Sequence, residues 1–152
     1  MPITERQKLI VQQSFAKVEP IADQAAKIFY DKLFEYDPSL KALFNKSMTE
    51  QGRMLMATLK VAVKSLDDID GLVGVLQKLA DRHLQYGVKI EDYTPVGNAL
   101  LYTLKTGLGP DFSLELRKAW IAVYNTVAQV MRTQAYPQYD VKSYKNTKRY
   151  KR

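Results

Sequence analysis

The chain has 152 residues and a mass of 17.4 kDa, enough for one domain with a real core and too little for two. Hydrophobic residues make up 46% and charged ones 26%, which excludes a wholly disordered chain; cysteine is absent and histidine occurs once, at His83, which excludes disulfides, thiolate chemistry, Cys-ligated zinc, iron–sulfur clusters and any two-imidazole site within one chain. The net charge of +7 is concentrated at the C-terminus, where Lys142, Lys145, Lys148, Arg149, Lys151 and Arg152 follow one another without an acid, so the remaining body is nearly neutral.

The six prolines, at 2, 20, 38, 95, 110 and 137, fall where periodic segments begin or end, as they do between helices. Thr4 with Gln7 reads as a capping box opening a first helix to about Val18, with Leu9, Ile10, Phe15 and Val18 among its apolar positions. A second helix is predicted from Pro20, carrying Ala22, Ala25, Ala26, Phe29, Leu33 and Phe34 inward, and Asp37-Pro38 opens a short helical turn through Leu43 and Phe44. Thr49 is the expected cap of the next helix, whose Leu55, Leu59, Ala62 and Leu66 recur every three or four residues until Asp67 and Asp68 break it. A helix from Asp70 to Gln85 places Leu72, Leu76 and Leu79 on one face and stops near Gly87. Asp92 opens a long helix to about Leu108; Gly109-Pro110 interrupts; a last helix runs from Ser113 to about Tyr136. No stretch alternates with period two, so the expected fold is all-α, one domain over residues 1–136 with a basic, flexible tail over 137–152.

Polar groups on the apolar faces call for an explanation. His83 continues the Leu72, Leu76, Leu79 series, so its imidazole points into the core. Two readings stand: a buried neutral histidine satisfied by a backbone carbonyl, or an axial metal ligand, imidazole being the commonest protein ligand to haem iron. Gln51 heads the face continued by Leu55, Leu59, Ala62 and Leu66, and Tyr30 lies one turn from Ala26 and beside Phe34. Burying an amide and a hydroxyl without partners costs about 1–3 kcal/mol each, so a shared ligand accounts for all three better than three separate accidents.

At these residues the chain resembles bacterial single-domain globins and the haem domain of flavohaemoglobins. The likeness is carried by Ile28 to Phe34, Leu43-Phe44, Gln51 with Leu55, Arg82-His83, Gln85 to Val88, Tyr93 with Val96-Gly97, Leu100-Leu101, and Trp120 with Tyr124. It implies a globin fold of about seven or eight helices binding haem b (iron protoporphyrin IX), with His83 as the proximal ligand and Phe44 stacked on the porphyrin. It also implies that Tyr30, Gln51 and Leu55 line the distal side, and that Phe29, Leu79, Val88, Tyr93, Val96 and Tyr124 line the rest of the pocket. Arg82 reads equally as a propionate partner or a solvated charge.

The resemblance implies reversible binding of O₂ and other diatomic ligands, NO and CO. A hydroxyl and an amide beside an open axial position favour a ligand that carries partial negative charge, so tight, slowly released oxygen is expected. One position departs from the pattern. Where flavohaemoglobin-like domains carry a glutamate that helps polarise the proximal histidine, the matching residue is Ala135, which argues against a peroxidase-like push of charge onto iron. An enzymatic alternative is a nitric oxide dioxygenase or nitrite reductase served by a separate reductase; one of another class is a haem-free helical interaction module. The tail, with Tyr136, Tyr139, Tyr144 and Tyr150 among its basic residues, reads as solvated or as a contact for an anionic partner or surface. The absence of a long apolar run and of an apolar N-terminal core makes a cytoplasmic protein without a transmembrane segment the expectation.

Overall fold

The computed structural model describes residues 3–150. Their regular structure is entirely helical, with six α-helices: α1 (Glu5–Val18), α2 (Ala22–Tyr36), α3 (Met48–Lys64), α4 (Ile69–Gln85), α5 (Tyr93–Leu108) and α6 (Leu114–Ala135). Local chemistry sets the boundaries. The Thr4 hydroxyl accepts from the Gln7 amide while the Thr4 amide donates to Gln7 Oε1, both at 3.0 Å, so the expected capping box opens α1. Asp68 caps α4 and Ser113 caps α6 in the same manner, through the amides of Gly71 and Leu116.

Three sequence expectations need adjustment. Pro20 lies in a single 3₁₀ turn, Glu19–Ile21, and α2 begins at Ala22. The cap of α3 is Ser47, whose hydroxyl accepts from the Glu50 amide at 3.2 Å, because the backbone is already helical at Thr49. The expected short helical turn, Pro38–Leu43, takes 3₁₀ form, so the α-helices among the described residues number six where the resemblance implied about seven or eight helices. Asp37 explains that last difference: its Oδ1 takes the Ser39 amide and hydroxyl, at 3.2 and 2.6 Å, and tightens the chain as it leaves α2.

Helix α2 packs on both α3 and α5, while α6 receives α1 and α4. A Cβ at Gly52 would stand 2.8 Å from Ala26 Cβ, so the bare glycine is what lets α3 settle on α2. Across the core, the Trp120 indole donates to Ser14 Oγ at 2.9 Å, and that hydroxyl donates to the Val11 carbonyl at 2.8 Å, tying α6 to α1 through a dry chain. No described helix is long and apolar enough to cross a membrane. Replacing Ser14 with alanine orphans the buried indole N–H and is expected to lower stability by about 1–3 kcal/mol, read as a lower midpoint in urea unfolding with an unchanged slope.

Candidate functional site

On one side of the site, three aromatic rings gather around Tyr30 on α2. Phe29 and Phe44 meet its ring edge-on at centroid distances of 5.1 and 5.3 Å, and Phe34 stacks at 5.9 Å. The crossing at Gly52 sets α3 above this cluster, and the Tyr30 hydroxyl donates to the Gln51 backbone carbonyl at 3.3 Å. Tyr30 and Gln51 are therefore neighbours, joined through the main chain of Gln51, whose side chain starts from a half-buried position. Burial pushes the Tyr30 phenol up to about 12, so it keeps its proton and stays a donor. Leu55, one turn further along α3, is half-buried against the core and, with Phe29, Leu100 and Trp120, borders an apolar cavity of about 20 Å³.

On the other side stands His83, on α4 as the leucine series predicts. Burial lowers its pKa; the Leu79 carbonyl one turn back opposes the shift and the Arg82 charge adds to it, leaving the imidazole neutral at neutral pH. Its ring lies 6.5 Å from that of Tyr93, nearly parallel at 23°. His83 Nδ1 and Tyr93 Oη are both buried without a hydrogen-bond partner. Tyr93 opens α5, and the Tyr124 hydroxyl of α6 donates to its backbone carbonyl. Gly97 permits that contact: a Cβ there would lie 2.6 Å from the Tyr124 ring.

The two sides converge. Gly87, with φ of +97°, turns the chain out of α4, and a Cβ there would touch Leu43 of the corner that leads to Phe44. Phe44, Leu55, Leu79, Val88, Val96 and Tyr124 all remain half-buried at the margin of the core, whereas Phe29, Tyr30 and Tyr93 lie within it. Arg82 is exposed and holds no ion pair among the described residues.

Sequence reasoning passed over Arg132. Its guanidinium lies 5.4 Å from the Tyr93 ring centroid, with Nε donating to the Ile90 carbonyl at 3.1 Å and an Nη to Thr94 Oγ1 at 3.3 Å. It sits three residues before the buried Ala135, and that spacing of three, one turn back on the same helix, is the signal that could have drawn attention to it. Tyr136 was also missed; its hydroxyl donates to the Val88 carbonyl at 2.6 Å.

A family model described as globin matches residues 27–131, the stretch that carries every one of these side chains except Arg132 and Tyr136. The chain belongs to the globin family. This globin is 29% identical over 143 residues to a neuroglobin of Danio rerio, covering 85% of this chain and 90% of the relative. It is also 29% identical over 132 residues to a flavohemoprotein of Vibrio cholerae, covering 84% of this chain but 33% of that longer protein. Among solved structures, a bacterial globin from Campylobacter jejuni superposes with a TM-score of 0.78 at 26% identity, over 90% of this chain and 99% of the other. The all-α globin fold expected from the sequence is thus the fold observed. Gly97→Ala drives a methyl group into the Tyr124 ring and is expected to cost about 1–3 kcal/mol, measured by chemical denaturation; Tyr124→Leu in the same chain should recover part of the loss.

Proposed function

We propose that this globin binds haem b through His83 and reversibly holds O₂, NO or CO on the side occupied by Tyr30 and Gln51. The observation that carries the reading is the half-buried, neutral imidazole with an unpartnered Nδ1, its ring nearly parallel to that of Tyr93 at 6.5 Å. No group of three His, Cys, Asp or Glu residues that could share a metal ion occurs among the described residues, so a metal at His83 needs a carrier that brings its own ligands. A porphyrin would do so: His83 would hold its iron, and the group would supply the capacity to take up a diatomic ligand.

The protein's own residues then have separable tasks. Neutral His83 offers a nitrogen lone pair, and desolvation favours the unprotonated form that can donate it. Phe44 and Leu55 supply apolar walls that exclude water. Tyr30 keeps its proton at neutral pH and spends it on a long 3.3 Å bond to Gln51 O, so redirecting the hydroxyl toward a partly negative ligand forfeits little. Exposed Arg82 is free to pair with a ligand carboxylate. Ala135, small and apolar, offers no acceptor to the His83 side, which favours a carrier of ligand over an activator of it.

A second reading, nitric oxide oxidation or nitrite reduction with electrons from a separate reductase, is favoured by the likeness to a flavohemoprotein of which this chain spans a third. His83→Ala should abolish stoichiometric haem uptake, followed by the Soret band of the reconstituted protein; a normal spectrum would refute the assignment. Failure of the unaltered chain to take up haem would instead leave a helical interaction module. Tyr30→Phe should speed O₂ dissociation several-fold in stopped-flow measurements, since one hydrogen bond is worth about 1–1.5 kcal/mol. Repeated nitric oxide turnover with an added reductase, as against a single stoichiometric event, separates the enzyme from the carrier.

A further inference from the structure

Beyond α6 the chain is neither helical nor detached. Asp140 folds it into a tight turn, accepting from the Lys142 amide and the Ser143 hydroxyl, each at 3.1 Å, and this turn presents Tyr144 to the body. The Tyr144 ring lies 4.8 Å from the Arg132 guanidinium, which is therefore held between Tyr144 and Tyr93. Tyr144 Oη is buried there without a partner. Further on, Lys148 Nζ reaches Asp37 Oδ2 at 2.6 Å, and the Tyr150 hydroxyl donates to the Glu91 carbonyl at 2.8 Å. Asn146 links these ends, donating to Tyr150 Oη at 2.8 Å and to the Glu91 carbonyl at 3.4 Å.

The charges fit this placement. Asp37 is a carboxylate whose side chain is only 8% exposed, and Asp92 is buried close by. Burial alone would raise Asp37, but Lys148 and Ser39 outweigh it and hold the carboxyl below its ordinary range, while the same contact raises Lys148. Without the tail, Asp37 would lose the cation that offsets its burial, which is costly for a charged group. Lys148 thus does something different from Lys142, Lys145 and Arg149, which stay exposed and make no ion pair among the described residues.

We propose that residues 137–150 form an intramolecular strap, latched to Asp37 by Lys148 and to Glu91 by Tyr150, whose Tyr144 pins the Arg132 guanidinium over Tyr93 and so sets a fixed cation behind the His83 side of the site. Tyr144 and Arg132 are positioning residues: neither touches His83. The electrostatic consequence rests on the haem reading above. A half-buried guanidinium held in place disfavours the extra positive charge of the oxidised metal and favours the reduced state that takes up O₂. The strap places a cation near the position where flavohaemoglobin-like domains are expected to carry an acid.

Two measurements test this, and the first needs no haem. In limited trypsin digestion of the full-length chain, cleavage after Lys142 and Lys145 should be at least about tenfold slower than in Lys148→Glu, and Lys148→Arg should restore the protection. In haem-loaded protein, Tyr144→Ala and Arg132→Gln should each lower the reduced-to-oxidised ratio at a fixed potential by about three- to tenfold, and Tyr144→Phe should leave it unchanged. Equal trypsin rates in the unaltered and Lys148→Glu chains overturn the strap. An unchanged ratio in both Tyr144→Ala and Arg132→Gln overturns the positioning role. If the unaltered chain takes up no haem, the haem reading fails by itself, and the trypsin comparison still decides whether the strap is latched.

Discussion

The close approach of α2 and α3 at Ala26 and Gly52 is the constraint on which the rest of the site depends. With no side chain at Gly52, the two backbones come near enough for the Tyr30 hydroxyl on one helix to reach the Gln51 carbonyl on the other. A larger residue at this crossing would lift α3, part Tyr30 from its acceptor and withdraw Leu55 from the core it edges. Because α2 also packs on α5, the same crossing fixes the wall that begins at Tyr93.

The two sides of the site are held by different physics. Around Tyr30 the support is apolar contact: three aromatic rings in edge or stacked contact leave the phenol one long hydrogen bond and no nearby charge that moves its pKa. Around His83 the support is polar and runs through backbone carbonyls. Tyr124 binds the carbonyl of Tyr93, Tyr136 that of Val88, and Arg132 that of Ile90, so α6 braces the whole segment between α4 and α5. A segment of irregular backbone must satisfy its carbonyls somewhere, and here α6 and the residue that follows it, Tyr136, do it. The imidazole and phenol that remain unpaired are the groups that this bracing does not consume.

Much of this is legible in the sequence, for local reasons. The helices follow from proline punctuation and leucine spacing, and the caps of α1 and α6 from short-range hydrogen bonds that Thr4 and Ser113 cannot avoid offering. The placement of His83 follows from its spacing to Leu79, Leu76 and Leu72. The misplaced cap of α3 is also instructive. Ser47 and Thr49 are both competent acceptors two residues apart, and the choice falls to whichever has extended backbone when the corner after Pro38 has been closed by Asp37. The 3₁₀ form of that corner has the same origin.

What the sequence by itself determines, then, is an all-α chain of amphipathic helices, the element on which each polar group lies, and, through its pattern, membership of the globin family. Only the tertiary structure decides which polar atoms meet. That Tyr30 bonds the main chain of Gln51, that Arg132 lies against Tyr93, and that Lys148 returns across more than a hundred residues to Asp37 depends on helix crossings and rotations. Periodicity fixes a side chain's direction about its own helix axis. It carries no information about the distance to a residue on another helix, which close packing alone sets.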